Sequence, residues 1–500
     1  MNEAVKQTLL ARVYEVAAKT PLERATKLSQ RLGFSVYLKR EDTQPVHSFK
    51  LRGAYNKIAS LSAAERGRGV IAASAGNHAQ GVALAAQKLG LSALIVMPRT
   101  TPSIKVEAVK SYKAEVELFG DSYSDAAEHC KRRQQETGRV FIHPFDDPLI
   151  IAGQGTVGME ILEQLTSVSH IFVPVGGGGL IAGIAQYVKA LRPEVKIISV
   201  EPSDSNALQT SIKAGRRVVL PHVGIFADGV AVKQLGEHTF PICRQFVNDS
   251  ITVTTDEICA AVKQIFEETR SVVEGAGALG VAGITAYAAS HDMSGSHAVA
   301  ICSGANISFE RLQFIAERTL LGSGKEALFA VTLSEKPGQL RRFCRQVVTD
   351  HNITQFGYRL QSRNSAQVLV GIGVADQADK QHFEDKMSKY DYSYTDFSGD
   401  DIAKAHTRHM IGGPSPLANN ERLYQISFPE RPGALADFLQ AVDGNWNISL
   451  FHYRGQGGDE GDVLIGFEAA GPKELEKHLG DAGYEFSPVA PTTATIFLGY

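Results

Sequence analysis

The chain is poor in several features that would point outside the cytoplasm. Its five cysteines, Cys130, Cys243, Cys259, Cys302 and Cys344, are scattered through 500 residues, and no two stand in a Cys-x-x-Cys pair. An odd, unclustered set reads as reduced thiols buried like small hydrophobes, rather than as ligands or nucleophiles. No apolar run is long enough to span a bilayer. A formal net charge of −3 gives no electrostatic reason to expect a nucleic acid or an anionic membrane as partner. The first 19 residues interrupt their apolar stretches with Glu3, Lys6, Arg12 and Glu15, so the apolar core of a secretory signal is missing. A transit peptide is not expected, because the motif-bearing region begins almost at once. These absences predict a cytoplasmic location. What is present is ordinary for a globular protein, with 43% hydrophobic and 21% charged residues. At this length two or three domains are expected.

Up to about residue 320, short β-branched runs alternate with helix-like segments. Val70–Ala73, Ala93–Met97, Ile171–Val175, Ile197–Val200 and Ala298–Ile301 read as strands. Ala79–Lys88 and Ser124–Thr137 read as intervening helices, which makes the region a series of parallel βαβ units. Ligands of such sheets bind where the loops after the strands collect.

The remainder contains a repeat at an offset of 95 residues. Pro337-Gly338 recurs as Pro432-Gly433, Asn352-Ile353 as Asn447-Ile448, Phe356 as Phe451, and Tyr358-Arg359 as Tyr453-Arg454. Each copy reads as strand, Pro-Gly turn, helix, Asn-Ile strand and a further alternating strand. Two copies of one such unit can bury their sheet faces against each other. The predicted domains are 1–323, 324–397 and 420–492. Between the last two, Gly412, Gly413, Pro414 and Pro416 mark a partial linker. The duplicated part serves either association or small-molecule sensing.

Four short motifs carry chemistry. Lys50 stands among Phe49, Leu51, Gly53, Ala54 and Tyr55 at the expected start of a helix. Desolvation and the helix dipole both disfavour an ammonium there, which favours a neutral amine able to form an imine. Phe49 could pack on the face of a planar cofactor. Gly176-Gly177-Gly178-Gly179, between a strand and a helix starting near Leu180, is either a flexible turn or a cradle for a monophosphate. It matches neither the dinucleotide fingerprint nor a P-loop. Ser74-Ala75-Gly76-Asn77-His78 gathers hydroxyl, amide and backbone donors suited to a carboxylate and a phenolic oxygen, although a helix cap explains it equally well. His78 alone reads as a satisfied helix-start histidine. Ser303, in Cys302-Ser303-Gly304-Ala305-Asn306, is a cap or a neutral partner for a pyridine nitrogen.

In this order the motifs resemble the fold-type II pyridoxal-phosphate enzymes, and among them the biosynthetic threonine dehydratases. Lys39-Arg40-Glu41-Asp42, Pro45 to Lys50, Ser74 to Gly81, Ala152 to Thr156, Gly176 to Leu180 and Ser303 to Asn306 carry the likeness. The repeat resembles the pair of ACT-like domains that ends the family's long form. The resemblance implies an α/β catalytic domain of two open parallel-sheet subdomains, followed by two α+β ACT-like domains. It implies that Lys50 holds pyridoxal 5'-phosphate as a Schiff base and that Asn77 bonds the ring oxygen. Gly176, Gly177, Gly178, Gly179 and Leu180 would hold the phosphate, Ser303 would face the ring nitrogen, and Ser74 and Gly76 would lie near the substrate carboxylate.

The implied reaction converts L-threonine to 2-oxobutanoate and ammonia, the first committed step towards isoleucine. Feedback by isoleucine, opposed by valine, and a homotetramer are implied as well. At Glu274-Gly275-Ala276-Gly277-Ala278-Leu279 the chain departs from the Glu-Pro-Ser-Gly-Ala-Leu of many biosynthetic members while keeping Glu274. Ala75 stands where racemases of this fold resemble one another in having a hydroxyl, which favours elimination. Serine dehydratase, serine racemase and threonine synthase share the cofactor and remain alternatives, as does a catalytically silent amino-acid sensor. Glu201, Pro202 and Asp204 lie where related enzymes sometimes bind a cation, but no ligand set is convincing and no metal is predicted. The Glu335-Lys336-Pro337-Gly338 and Glu430-Arg431-Pro432-Gly433 turns are either effector-pocket rims or ordinary turns.

Overall fold

The computed structural model describes residues 3–120, 122–224, 226–322, 324–336, 338–360, 364–399, 415, 417, 418, 420–429, 434–442, 446–454, 460–468 and 472–489. The predicted Pro337, Glu430 to Gly433 and linker residues Gly412, Gly413, Pro414 and Pro416 lie outside the described residues. The chain forms two compact units, Met1–Thr319 and Leu320–Tyr500.

The first unit holds strands β1 (Leu22–Arg24), β2 (Ser35–Arg40), β3 (Val70–Ala73), β4 (Ala93–Met97), β5 (Glu115–Leu118), β6 (Val140–Phe141), β7 (His170–Pro174), β8 (Lys196–Pro202), β9 (Asp249–Val253) and β10 (His297–Cys302). They make a six-stranded sheet of order β1-β2-β10-β7-β8-β9 and a four-stranded sheet of order β5-β4-β3-β6. All pairings are parallel except β1 with β2. Strands β3, β4 and β7 are buried along their whole length, as parallel strands covered on both faces must be. The loops that leave the carboxyl ends of β3, β7 and β10 contain Ser74, Gly176 and Ser303, and the segment after β2 leads into Lys50.

The helix Lys50–Ala59 crosses the helix Pro148–Gln164 where Gly53 faces Gly153. A Cβ on Gly153 would lie 2.7 Å from the Gly53 Cα, so the two backbones meet with no side chain between them. This close approach sets four charges together out of water. Arg52 binds Glu41 through Nε at 2.8 Å and Nη2 at 2.7 Å, and reaches Glu160 through Nη1 at 2.6 Å. Lys39 completes the set with a 2.5 Å bond to Glu160. The side chains of all four residues are wholly inaccessible to solvent. Thr20 and Tyr14 donate their hydroxyls to Glu41 and Glu160 respectively, while the Thr156 hydroxyl accepts from Arg52 Nη1 at 3.1 Å. Burial opposes the charge of Glu41, yet the Arg52 guanidinium holds its carboxyl below the usual range.

The second unit is one antiparallel sheet of eight strands. Strands β11 (Glu326–Ser334), β12 (Ile353–Arg359), β13 (Ser365–Gly373) and β14 (Ser393–Asp396) belong to the first copy of the repeat. The second copy supplies β15 (Glu421–Pro429), β16 (Asn447–Arg454), β17 (Glu460–Glu468) and β18 (Glu485–Pro488). The order is β14-β11-β13-β12-β16-β17-β15-β18. The expectation that the copies bury their sheet faces against each other is therefore corrected. They join edge to edge through β12 and β16, which satisfies backbone groups that a face-to-face pair would leave open. Phe356 pairs with Tyr453 and Tyr358 with Phe451, so equivalent residues exchange places about the pair Gly357 and His452. Each copy also has a second helix and a fourth strand that the sequence reading left out, Gln377–Lys389 with β14 and Pro472–Asp481 with β18. One hydrophobic core runs through both copies, from Phe329 and Phe383 to Phe438 and Phe467.

Removing one member of a buried ion cluster strands its partners without compensation. Arg52→Ala is expected to lower unfolding free energy by about 3–5 kcal/mol in urea titration. Lys19→Ala, which breaks a half-exposed pair with Glu163, should leave the midpoint in place.

Candidate active site

Each predicted site residue lies at the carboxyl end of a parallel strand or at the helix that follows. Lys50 is the first residue of its helix. Its approach is held by main-chain bonds to the loop after β10: the Phe49 N–H donates to the Ser303 carbonyl at 3.2 Å, and the Ala305 N–H to the His47 carbonyl at 2.9 Å. His47 adopts a φ of 53°, a left-handed conformation that costs a non-glycine residue energy and clusters at functional sites. Lys50 Nζ donates to the Pro144 carbonyl at 3.0 Å and lies 5.4 Å from the centre of the Phe49 ring. Burial pulls its pKa down to about 8, with Glu274 opposing the shift.

Gly178 has a φ of 91° and caps the helix Gly179–Leu191. Around the loop the protein leaves no room for side chains. A Cβ on Gly176 would meet the Val230 Cα at 2.9 Å, one on Gly179 the Phe145 carbonyl at 2.9 Å, and one on Gly177 would run into the Phe145 ring. The four glycines are thus a packed backbone surface at a helix N-terminus, where unpaired N–H groups favour an anion. Leu180 is buried in the first turn. Thr239 Oγ1 donates to the Gly177 carbonyl at 2.7 Å, and Asp146 accepts from the N–H groups of Glu237 and His238 at 2.7 and 2.8 Å. These bonds brace the loop from behind.

Gly76 precedes the helix Asn77–Leu89, and its N–H donates to Ser74 Oγ at 3.2 Å. Asn77 Nδ2 donates to Glu274 Oε1 at 2.6 Å, while Asn77 Oδ1 accepts from Asn306 Nδ2 at 2.6 Å. Ser303 is buried and its Oγ donates to the Ala276 carbonyl at 3.2 Å. His78 donates its Nε2–H to the Ile142 carbonyl at 2.8 Å. Its burial lowers the imidazole pKa to about 3, so the ring stays neutral and serves the helix start. Glu201 accepts from the N–H groups of Leu208 and Gln209 at 2.7 and 2.9 Å, and desolvation raises its pKa to about 7.

Sequence reasoning missed Pro144, Phe145, Asp146 and Thr239, which lie in unremarkable stretches and act only through the fold. It noted Glu274 without giving it a task. Burial pushes the Glu274 pKa up to about 7, aided by the nearby Asp228. The quoted stretches Lys39 to Asp42 and Ala152 to Thr156 belong in part to the buried ion cluster, through Lys39, Glu41 and Thr156.

An amine with a depressed pKa, a backbone cradle for one phosphate and a half-buried amide donor suit a planar phosphorylated aldehyde. Ser48 Oγ, two residues before Lys50, is buried without a hydrogen-bond partner, so the site also has polar capacity to spare. A family described as pyridoxal-phosphate dependent enzyme matches residues 13–304. A second, the C-terminal regulatory domain of threonine dehydratase, matches residues 317–407 and 414–496.

The chain is 50% identical over 491 residues to a biosynthetic L-threonine dehydratase of Burkholderia multivorans, covering 97% of each. It is 49% identical to a chloroplastic biosynthetic threonine dehydratase of Arabidopsis thaliana, covering 97% of this chain and 82% of that one. Among solved structures, the processed threonine deaminase isoform 2 of Solanum lycopersicum superposes with a TM-score of 0.63 at 47% identity, over 64% of this chain and 88% of that one. Maize serine racemase superposes with a TM-score of 0.59 at 35% identity, over 64% and 97%. The chain belongs to the pyridoxal-phosphate dependent enzymes and, within them, to the biosynthetic threonine dehydratases.

A lysine of pKa about 8 is neutral in roughly one molecule in ten at pH 7, against one in a few thousand for an ordinary lysine. Since the neutral amine is the nucleophile, cofactor uptake by stripped protein should rise about tenfold per pH unit below pH 8 and level off above it. Stopped-flow absorbance of pyridoxal phosphate binding reads this directly.

Proposed function

We propose that the protein deaminates L-threonine to 2-oxobutanoate and ammonia, losing the β-hydroxyl as water and regaining one water on hydrolysis, with pyridoxal phosphate held on Lys50. The observation behind this reading is the desolvated Lys50 amine at the meeting point of the loops after β2, β6 and β10. Bound pyridoxal phosphate supplies an electron sink for the charge that develops at the substrate Cα. The chain's own groups do the rest. Gly176, Gly177, Gly178, Gly179 and Leu180 would hold the phosphate, Asn77 would donate to the ring oxygen, and Ser303 would offer the ring nitrogen a neutral hydroxyl. Phe49 would pack against the ring. Ser74 and Gly76, beside the N-terminus of the helix Asn77–Leu89, orient the substrate carboxylate. Once the substrate amine has displaced it from the cofactor, Lys50 Nζ would remove the Cα proton, a role suited to an amine whose pKa has been drawn towards neutrality. Ala75 offers no proton to the Cα, which favours loss of the β-hydroxyl over inversion.

Residues 1–323 are the catalytic domain in this reading, and 324–397 and 420–492 are regulatory domains in a cytoplasmic homotetramer. No helix among the described residues is long and apolar enough to cross a membrane. Isoleucine is the inhibiting effector and valine its antagonist. A cavity of about 210 Å³ between the repeat copies supports this, lined by Leu333, Glu335, Tyr358, Leu439, Trp446 and Ile448 among others. It offers apolar walls with one carboxylate near a phenol, where Tyr358 donates to Glu335 at 2.8 Å. Lys336 and Gly338 of the predicted rim also line it.

Lys50→Ala should lose threonine turnover together with the absorbance band near roughly 410 nm of a conjugated protonated imine. Turnover retained by that variant overturns the assignment. Isoleucine should raise the threonine concentration needed for half-maximal rate several-fold. Ile448→Trp, which fills the cavity, should abolish that response while leaving turnover without effector in place. Threonine kinetics indifferent to isoleucine would remove the regulatory part.

A further inference from the structure

Glu274 is an acid whose position is not explained by the usual role of its place in the chain. It stands at the N-cap of the helix Gly275–Ala288, yet its side chain makes no capping bond. The buried carboxylate is committed elsewhere. Oε1 accepts from Asn77 Nδ2 at 2.6 Å, and Oε2 accepts from the Asn306 N–H at 3.1 Å. Two glycines bring backbone against it: a Cβ on Gly304 would lie 2.7 Å from Oε1, and one on Gly229 would lie 3.2 Å from it. The carboxylate is therefore clamped.

The clamp decides which way the Asn77 amide faces. Asn306 Nδ2 donates one hydrogen to the Val46 carbonyl at 2.8 Å and the other to Asn77 Oδ1. A flipped Asn77 would set nitrogen against the Asn306 donor and oxygen against the Glu274 carboxylate. Both contacts would be repulsive, so the flipped state is closed off. In the observed orientation one Nδ2 hydrogen serves Glu274 and the second is left for a ligand. An ionised acceptor also strengthens such a bond.

We propose that Glu274 is a positioning residue of this site, which holds the Asn77 amide with a free N–H for the ring oxygen of bound pyridoxal phosphate and couples its own charge to that oxygen. This rests on the preceding reading of Lys50 and Asn77. The charged groups that face Glu274 are few. Asp228 repels its charge, Lys105 favours it while pairing with Asp228 at 2.7 Å, and Lys50 senses it. Burial first, and then the Asp228 charge, raise the Glu274 pKa to about 7.

The test uses the cofactor-loaded full chain and follows the absorbance maximum of the bound cofactor between about pH 5.5 and 8.5. The parent protein should show a transition near neutrality. Glu274→Gln keeps an acceptor for Asn77 but cannot ionise, so the transition should vanish with the cofactor still bound. Its kcat should fall by about tenfold while KM for threonine moves little, since Glu274 touches no substrate. A Gln variant that titrates like the parent and keeps its kcat overturns the proposal. If that variant takes up no cofactor, Asn306→Ala decides. It frees the Asn77 amide to turn, and should shift the band and weaken cofactor binding several-fold while the transition persists. An unchanged spectrum and affinity in Asn306→Ala would equally overturn it. Failure of the underlying reading looks different, because Lys50→Ala would then keep the imine band.

Discussion

Everything at the catalytic cleft depends on two cations and two anions that water never reaches. Lys39, Glu41, Arg52 and Glu160 come from β2, the turn after it, the Lys50 helix and the Pro148–Gln164 helix. Their charges cancel, and each is multiply hydrogen-bonded, which is the condition under which buried ions are tolerated. The Gly53 and Gly153 crossing brings the helices near enough for one guanidinium to serve two carboxylates. Arg52 is two residues from Lys50, so the cluster fixes the first turn of the helix that presents the amine. An apolar core at the same place would pack, but it would not specify this register so sharply. Ion pairs with fixed geometry tolerate no sliding.

The same cluster shows why parts of the sequence were hard to read. Strands β3, β4, β7, β8 and β10 were visible as β-branched runs because both their faces are covered. Strand β2 was not, since Lys39 and Arg40 at its end look like surface residues and are in fact buried. Strand β5, Glu-Val-Glu-Leu, and the partly exposed β9 lie at sheet edges, where burial leaves only a weak pattern. The helix Gln377–Lys389 escaped notice for a related reason, as it buries little beyond Phe383 and Met387.

Within the site, Lys50, the glycine run, Asn77 and Ser303 stood out because each lies in a short contiguous motif. The pair of Asn77 and Glu274 is separated by 197 residues, and the bonds from Asp146 reach 92 residues along the chain. Such partners leave no local signature. Only the parallel-sheet topology, which gathers the loops after distant strands, reveals them. The repeat presents the converse case: its offset was plain, while the manner of joining was not. Either a sandwich or a continuous sheet would satisfy the same alternation. The edge pairing of β12 with β16 decides for the second, and it places Arg345 against Gln440, the two related by the repeat, at 2.7 Å.

The five cysteines acquire a use from where they lie. All are free and buried, and burial pushes every thiol pKa upwards. They are also well distributed. Cys130 sits in the small core beneath β3 and β4, Cys243 in the core around β7, Cys259 and Cys302 in the core around the Gly275–Ala288 helix, and Cys344 in the second unit. A thiol in such a setting reacts only while its surroundings are open. The native chain is thus fitted with a resident clock for each of four cores. The sequence of alkylation at these positions would order the openings of the molecule without any engineered label.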